Sequence, residues 1–303
     1  MSRRGVIVLN PAGGQGRAGR RRPELEHLLA EASAGQSVEN RLEWSIEETT
    51  APGSAAAIAA RCAAVGADIV AAAGGDGTLS EVLNGLMGTR ATLALLPFGT
   101  GNDFSRTVGL YGSLPRAVDT LFTGTPRRID VGRLAERYFL NVAGCGFDAV
   151  VADCANRGPR RLTGAAAYVW AVFRTLARFR AADFRVTVDG VPHNLRAMMC
   201  SVANAQTYGG GMRIAPTASL DDGLFDLCIL KEAGTFEFIC AFPSVFKGTH
   251  TSHPKITMLQ GRHVRIESTP PQPILIDGEV IGTAPAEFTL LPAAIEFQFP
   301  ASA

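Results

Sequence analysis

Glycines, carboxylates and hydroxyl groups occur together in several short loops, most clearly in Gly74-Gly75-Asp76-Gly77-Thr78. The apolar run Ile69–Ala73 precedes this loop, and helix-forming residues follow it from Leu79. A strand, a glycine turn and a helix start bring backbone N–H groups and a helix N-terminus against phosphate. Asp76 supplies a carboxylate where phosphate and metal would meet, and Thr78 can cap the helix or reach the phosphate. A plain strand-to-helix turn is the alternative.

A second donor-rich loop lies near the start of the chain. It runs from Asn10 to Arg20, follows an apolar run at Gly5–Leu9 and precedes a helix predicted near Pro23–Ala32. Its glycines suit phosphate binding, and Arg17 and Arg20 could counter the phosphate charge. A surface loop with solvated arginines is the other interpretation.

A third loop, Pro97–Arg106, follows the apolar run Thr92–Leu96. It places Thr100, Asn102 and Asp103 before a short predicted helix. Asp103 either joins Asp76 at a metal–phosphate site or caps the helix. The predicted strand Arg128–Val131 carries a further carboxylate, Asp130, near its end.

Two acidic turns stand in the second half of the chain. Asp221-Asp222-Gly223 precedes the predicted strand Leu224–Leu230, where a carboxylate and backbone carbonyls could bind a hard cation or form an Asx turn. Asp277-Gly278-Glu279 follows the apolar run Pro273–Ile276. One of its carboxylates could accept a proton from a hydroxyl, or the segment could be an ordinary hairpin turn.

The first part of the chain alternates strands and helices. Helices separate the predicted strands, which are Gly5–Leu9, Arg41–Glu47, Ile69–Ala73 and Thr92–Leu96. A further helix is predicted after the last of them, at Ser113–Phe122. This alternation predicts an α/β domain with a doubly wound, mainly parallel sheet, in which all three glycine loops gather beyond the carboxyl ends of the strands.

After about residue 131 the pattern changes to short strands separated by turns, which predicts a β-rich, sandwich-like or barrel-like domain. The predicted strands are Tyr138–Val142, Phe184–Val188, Ala197–Ala203, Leu224–Leu230, His263–Glu267, Pro273–Ile276, Glu287–Leu291 and Ala294–Phe299. A helix predicted at Leu162–Phe179 either packs on the core or contacts a membrane surface. We therefore divide the chain into 1–130 and 131–291, and a tail at about 292–303 can return to the first domain.

Composition excludes several classes of protein. The net charge of the 303 residues is +1, so no overall field favours nucleic acid. Six scattered cysteines without a Cys-x-x-Cys pair indicate a reduced, cytoplasmic chain without a zinc or disulfide framework. No apolar run approaches the roughly 18–20 residues of a membrane span, so membrane contact would be peripheral and transient. Whether the chain forms a homodimer is left open.

Taken in order, these motifs resemble those of the diacylglycerol kinase catalytic-domain family, and in particular its soluble bacterial lipid kinases, which are related to the sphingosine kinases. The resemblance covers nearly the whole chain. Each motif is weak alone, but five in the same order are specific. The motifs are Asn10-Pro11-Ala12-Gly13-Gly14, Gly74-Gly75-Asp76-Gly77-Thr78, Pro97-Phe98-Gly99-Thr100-Gly101-Asn102-Asp103-Phe104, Asp221-Asp222-Gly223 and Asp277-Gly278-Glu279.

The resemblance implies an ATP-dependent kinase that phosphorylates the hydroxyl of a lipid such as diacylglycerol. It implies a phosphofructokinase-like α/β domain followed by a β-sandwich, with the active site in the cleft between them. It also implies a set of residues that bind ATP, namely Asn10, Pro11, Ala12, Gly13, Gly14, Arg17, Arg20, Thr49, Gly74, Gly75, Asp76, Gly77, Thr78, Leu79, Ser80, Thr100 and Asn102.

Carboxylates take three roles by the same resemblance. Asp76, Asp103 and Asp130 would organise the catalytic Mg²⁺ and its waters. Asp222 would bind a structural Mg²⁺ with the backbone oxygens of Ser219 and Leu224. Glu279, with Asp277, would accept the proton of the lipid hydroxyl.

The chain departs from the family pattern at two positions. Gly13 stands where the family usually has Ser, and Ser80 replaces a frequent Asn. Neither change removes a carboxylate, so we expect activity to survive and nucleotide affinity to be affected. Two alternatives stay open: a kinase of a small molecule such as NAD, which shares the Gly-Gly-Asp-Gly-Thr loop, and a nucleotide-binding regulator without catalysis.

Overall fold

The structure is a computed structural model and describes residues 3–36, 42–158 and 165–301. The chain divides into two compact units. Unit 1 contains the residues up to Ile129 and those from Ala293 onward, and unit 2 runs from Asp130 to Pro292.

Unit 1 alternates strands and helices, as the sequence predicts. Its elements are β1 (Arg3–Leu9), α1 (Gly13–Arg20), α2 (Arg22–Ala34), β2 (Leu42–Glu48), α3 (Ser54–Ala64), β3 (Ile69–Gly74), α4 (Asp76–Leu86), β4 (Thr92–Pro97), α5 (Asp103–Thr107), α6 (Leu114–Thr123) and the start of β5 (Thr125–Leu134). Strands β2, β1, β3 and β4 pair in parallel in that order. The end of the last strand, β15 (Ala286–Phe299), lies parallel to β4.

The central strand β3 explains how this sheet is covered. Every residue of Ile69–Gly74 is buried, as expected for a parallel strand with helices on both faces. The register pairs Leu9 with Ala73 and Gly74 with Pro97, so β1, β3 and β4 end at one edge. The loops that follow these strands therefore begin side by side.

Unit 2 is mainly antiparallel. It contains the end of β5, then β6 (Arg137–Phe139), β7 (Val142–Gly146), α7 (Phe147–Asn156), α8 (Ala165–Leu176), β8 (Ala182–Val188), β9 (Val191–Ala203), β10 (Phe225–Lys231), α9 (Thr235–Ala241), α10 (Pro243–Lys247), a 3₁₀ turn (Thr249–Ser252), β11 (Ile256–Gly261), β12 (His263–Thr269), β13 (Pro273–Ile276), β14 (Glu279–Thr283) and the start of β15. The strand order is β14-β13-β7-β9-β8-β12-β15.

The long strand β9 organises this unit because it pairs with three others. Its first half pairs with β8, and its second half pairs with β7 on one side and β10 on the other. The inward side chains form a core in which Phe139 stacks on Phe225 with ring centroids 5.8 Å apart, and Phe288 meets Phe139 edge-on at 6.4 Å. On the other side of β7, β9 and β10, helices α7 and α8 cover a second apolar cluster.

Several predicted elements were wrong in detail. The segment predicted as one strand at Tyr138–Val142 forms β6 and β7, because Asn141 turns the chain and its carbonyl accepts two backbone N–H groups, from Asn204 and Ala205. The two predicted final strands are the single strand β15, which contains a left-handed residue at Ala293 (φ 47°). Helices α7, α9 and α10 and strands β11 and β14 were missed. The helix predicted at Leu162–Phe179 ends at Leu176, and its residues 162–164 lie outside the described residues, as does Arg41 of the second strand.

Helices α3 and α4 pack closely enough to give a test of the fold. A Cβ atom on Gly85 of α4 would overlap the backbone of Ala56, whereas a Cβ on Gly77 of the same helix would meet nothing within 4 Å. We expect Gly85→Ala to lower the free energy of unfolding by about 1–3 kcal/mol, because the helices must separate. Urea denaturation measures this loss, with Gly77→Ala as the matched control. Equal stability of the two variants would contradict the packing.

Candidate functional site

Glycine backbones bring the three loops of unit 1 into contact. The Cα atom of Gly74 lies 3.4 Å from the position of a Cβ on Gly13. Gly75 and Gly99 approach equally closely, since a Cβ on Gly75 would lie 3.2 Å from the Cα of Gly99. A Cβ on Gly14 would overlap the carbonyl oxygen of Phe98. Larger residues at these positions would push the loops apart.

The first loop is more ordered than the sequence suggests. We expected a loop through Arg20, but α1 begins at Gly13, and Gly14, Gln15 and Gly16 adopt left-handed φ angles of 60°, 61° and 78°. A helical residue followed by left-handed ones turns successive N–H groups into a concavity that binds anions. Gly14 needs glycine both for this conformation and for the contact with Phe98.

The two arginines of this loop differ in their surroundings. Arg20 donates a hydrogen bond to the Gln15 carbonyl, 3.2 Å away, so its guanidinium holds the loop. The Arg17 side chain is exposed. Arg17 is therefore the freer of the two to reach a phosphate.

Asp76 and Asp103 lie side by side. A Cβ on Gly101 would be 3.2 Å from Oδ2 of Asp76 and 3.5 Å from Oδ2 of Asp103. The Asp76 carboxylate accepts the backbone N–H groups of Asp103 and Phe104 at 3.2 and 3.3 Å, so Asp76 caps α5, the role that the sequence left open for Asp103. Burial raises the pKa of the Asp76 carboxyl, and these N–H groups oppose that rise.

Two adjacent carboxylates fit Mg²⁺, which prefers hard oxygen ligands. Among the described residues no three His, Cys, Asp or Glu side chains cluster as metal ligands. A cation between Asp76 and Asp103 would therefore complete its shell with water or phosphate oxygens.

The remaining predicted nucleotide residues surround these loops. The Asn10 amide donates to the Thr78 hydroxyl at 3.1 Å, so Thr78 does not cap α4. The Thr49 N–H donates to the Leu9 carbonyl, which places Thr49 at the same edge of the sheet. Asn102 is left-handed (φ 51°) and holds the Gly99 carbonyl at 2.9 Å. The others are Pro11 and Ala12 before α1, Leu79 and Ser80 in α4, and the exposed Thr100.

In unit 2, Asp130 is bound to the first acidic turn. Its buried carboxylate accepts the Gly223 N–H at 2.7 Å, and its own N–H donates to Leu220. Within this unit, then, Asp130 fixes the conformation of the turn that carries Asp222.

The same turn has oxygen atoms that could bind a hard cation. Asp222 is exposed, and one of its oxygens accepts the Leu224 N–H at 3.0 Å. The Ser219 hydroxyl donates a hydrogen bond to Asp221 at 2.6 Å. The Ser219 carbonyl oxygen is the atom that we expected to bind the cation. Nearby, Oδ2 of the buried Asp226 lacks a hydrogen-bond partner among the described residues, a feature that the sequence did not single out. Carboxylate and carbonyl oxygens with a buried unsatisfied oxygen fit Mg²⁺.

The second acidic turn is a hairpin between β13 and β14. Asp277 is left-handed (φ 46°), and its Oδ1 accepts the N–H groups of Asn141 and Val142, each at 3.2 Å. The Asn156 amide holds the Gly278 carbonyl at 3.0 Å. Glu279 is exposed and faces Arg137 at 3.4 Å. Asp277 thus shapes the turn, and Glu279 is accessible.

An apolar cavity, partly open to solvent, lies in the same unit. Helices α7, α8 and α9 and strands β9 and β10 contribute to its wall, and aromatic contacts link Phe147, Phe238 and Phe242 along it. The Tyr168 ring also lines the cavity, while its hydroxyl lies 3.4 Å from the position of a Cβ on Gly278. Tyr168 therefore lies between the cavity and the Asp277–Glu279 turn. The apolar lining of the cavity suits the chain of a lipid.

Sequence reasoning missed one polar residue of this cavity. Asp148 follows Phe147 at the start of α7 and is only 4% exposed. Its Oδ2 accepts the Ser201 hydroxyl at 3.0 Å, and burial raises the pKa of the carboxyl to about 7. An acidic residue within an apolar run was the only available signal, and such residues often cap helices.

Known proteins share both units. The diacylglycerol kinase catalytic domain model matches residues 4–134, and the model of the YegS C-terminal NAD kinase beta sandwich-like domain matches residues 141–299. The diacylglycerol kinase of Bacillus subtilis (strain 168) is 33% identical over 261 residues, covering 85% of this chain and 86% of the relative. That of Staphylococcus saprophyticus is 31% identical over 302 residues, covering 99% and 96%.

Solved structures share the fold. A diacylglycerol kinase from Bacillus anthracis str. Sterne superposes with a TM-score of 0.74 at 23% identity, covering 98% of this chain and 96% of its own. Another solved structure from that organism reaches a TM-score of 0.80 at 26% identity, covering 98% and 95%.

The parallel α/β unit with its glycine loops and the β-sandwich unit that follows it in the chain define a lipid kinase. The chain belongs to the diacylglycerol kinase family. Within the described residues, no helix is both long and apolar enough to cross a bilayer.

The Asp222 turn gives a test by metal titration. We expect Mg²⁺ to raise the Tm of the protein, because a ligand that binds only the folded state stabilises it. Asp222→Ala should abolish most of that rise, whereas Asp189→Ala, which removes a different turn carboxylate bonded to Arg262 and His263, should keep it. Thermal unfolding with and without Mg²⁺ measures the difference. The same Mg²⁺-dependent shift in the Asp222 variant would exclude this turn as a cation site.

Proposed function

We propose that this protein transfers the γ-phosphoryl group of ATP to the free hydroxyl of a neutral glycerolipid such as diacylglycerol. The observation that carries the proposal is the cavity of unit 2, which is apolar and whose wall residue Tyr168 lies against the Asp277–Glu279 turn. This lining favours an acyl chain over a dinucleotide such as NAD. The names of the relatives support diacylglycerol as the acceptor.

ATP binds to the loops of unit 1 in this proposal. The N–H groups of the first loop and the N-terminus of α4 receive its phosphates, and Arg17 adds a positive charge. Asp76 and Asp103 hold Mg²⁺, which when bound neutralises charge on the phosphates. Phosphoryl transfer depends mostly on such positioning and charge neutralisation.

Glu279 accepts the proton of the lipid hydroxyl. It is the exposed carboxylate of its turn, while the Asp277 carboxylate is engaged by two backbone N–H groups. Asp277 is therefore a positioning residue. The Asn156 amide, bonded to Gly278, supports the same turn.

The helix α9 gives the protein a means of reaching its substrate in a bilayer. Phe236 is 80% exposed and Ile239 is 40% exposed, while Phe238 and Ala241 of the same helix line the cavity. A short helix that is apolar on both faces fits the boundary between a lipid cavity and a membrane surface. Phe173 of α8, which contacts Phe242, is also exposed. Three exposed cationic side chains lie on the same elements: Arg174 in α8, Arg178 just after α8, and Lys247 in α10. Their charge suits anionic lipid.

The assignment of the base predicts different effects for the two carboxylates. We expect Glu279→Gln to lower kcat by roughly 10²–10⁴-fold, because it removes the proton acceptor. Asp277→Asn should cost much less, roughly tenfold, because its amide oxygen can still accept the two N–H groups. Transfer of labelled phosphate from ATP to dioleoylglycerol in mixed micelles measures both. Glu287→Gln is the matched control, since Glu287 is also exposed and paired with an arginine. Wild-type turnover in the Glu279 variant would overturn the assignment.

The α9 surface predicts weaker membrane binding when it is made polar. We expect Phe236→Glu to reduce binding to phosphatidylglycerol–phosphatidylcholine vesicles by roughly tenfold or more, because burial of a Phe side chain is worth about 1.5–3 kcal/mol. Val191→Glu is the control, since Val191 is an exposed apolar residue (58%) in the β8–β9 hairpin. Vesicle sedimentation measures both. Equal losses in the two variants would contradict a specific docking surface.

A further inference from the structure

Asp148 is the acidic side chain most deeply enclosed by the lipid cavity. The cavity wall is formed mostly by aliphatic, aromatic and Met side chains, yet it includes this carboxyl. A Cβ on Gly144 of β7 would overlap Oδ2 of Asp148, so the carboxyl lies directly against the glycine backbone. A buried polar group is costly unless it has partners.

Asp148 is part of a connected set of polar groups. Its Oδ1 accepts the Ala149 N–H at 2.9 Å, and its Oδ2 interacts with Ser201 at 3.0 Å. Ser201 also hydrogen-bonds the phenol of Tyr208, another residue of the cavity wall. The described side chains around the cavity include no lysine or arginine. Among the described residues of the cavity wall, the Asp148 carboxyl therefore has no lysine or arginine to pair with.

The strand register places this set close to the proposed catalytic turn. Gly144, beneath the carboxyl, pairs with Leu275 of β13, and Leu275 precedes Asp277 by two residues. Two strand residues span about 7 Å. A glycerol backbone carries its ester carbonyls only a few bonds from its free hydroxyl, so a hydroxyl at the turn brings an ester near Asp148.

We propose that Asp148, held by Ser201, donates a hydrogen bond to an acyl ester carbonyl of the lipid and so makes the kinase prefer ester-linked to ether-linked glycerolipids. This inference rests on the proposed lipid phosphorylation. The chemistry is direct: a protonated carboxyl is a donor, an ester carbonyl is a good acceptor, and an alkyl ether lacks that carbonyl. Burial supports this state, since the pKa of about 7 leaves much of the carboxyl protonated near neutral pH.

The test compares 1,2-dioleoylglycerol with its 1,2-dialkyl ether analogue. We expect the wild-type protein to show a KM for the ether that is roughly tenfold higher, the worth of one hydrogen bond in a buried site. In Asp148→Leu the two KM values should become equal through a higher KM for the ester. Asp148→Asn should keep the preference, because its amide N–H can donate. Asp153→Asn, on the same helix and paired with Arg157 at 3.0 Å, is the control.

A binding measurement separates this inference from the kinase proposal. Displacement of a fluorescent diacylglycerol by the two lipids, without ATP, reports the same preference even if no transfer occurs. Absence of transfer with the ester preference intact would remove only the kinase mechanism. Equal affinity of the wild-type protein for ester and ether would overturn the role of Asp148, and so would an unchanged preference in Asp148→Leu. If Asp148→Leu does not fold, the ratio of the wild-type affinities for the ester and the ether, together with its pH dependence, tests the role of Asp148.

The preference should depend on pH. An ionised Asp148 cannot donate, so the ester preference should be present at pH 6 and largely lost by pH 8.5. The other titratable groups that line the cavity or act on Asp148 are Tyr168, Tyr208, Cys145, Cys200, Cys228, Glu237, His250 and His253. Burial raises the pKa of Cys228 to about 12 and raises those of Cys145, Cys200 and Tyr208, and it lowers the pKa of His250.

Three variants assign this pH dependence. His253→Gln and Glu237→Gln should leave it in place, and Asp148→Asn should remove it. A pH dependence that disappears in either of the first two variants and persists in the third would overturn the assignment to Asp148.

Discussion

Close contact between peptide backbones is the constraint on which unit 1 depends. Gly13 meets Gly74, Gly75 meets Gly99, and Gly14 meets the carbonyl of Phe98. These contacts follow from the sheet, because β1, β3 and β4 end at one edge and leave little room between their loops. They also leave backbone N–H groups as the main donors at the surface. Glycine in these loops therefore allows close packing and at the same time leaves N–H groups accessible, as the proposed binding of phosphate requires.

Unit 2 follows a different principle, in which a few polar groups are placed against an apolar wall. The carboxylates of Asp130 and Asp277 are both engaged by backbone N–H groups, so each fixes the turn beside it. The accessible carboxylates, Asp222 and Glu279, lie on those turns. In each case one acid shapes the backbone through N–H groups, and an exposed acid on the same turn is accessible.

The sequence predicts unit 1 well because its signals are local. Apolar runs followed by glycine loops identify β1, β3 and β4, and parallel topology then implies that the loops meet. The role of Asp76 as the cap of α5 could not be predicted, because its partners are 27 and 28 residues away. Asp148 was missed for a related reason: its partner Ser201 is 53 residues away in the chain, and the pairing of β7 with β9 places Ser201 opposite Gly144, against which the carboxyl lies.

The last strand, β15, belongs to both units, and this has a consequence for how the protein is made. Phe297 pairs with Leu93 in unit 1, although all of unit 2 lies between them in the chain. The ribosome therefore completes unit 2 before it releases the strand that covers β4. Until that moment β4 has an open edge, and open strand edges are sites where chains associate wrongly. Unit 1 of this kinase is thus completed only after the whole of unit 2 has been synthesised.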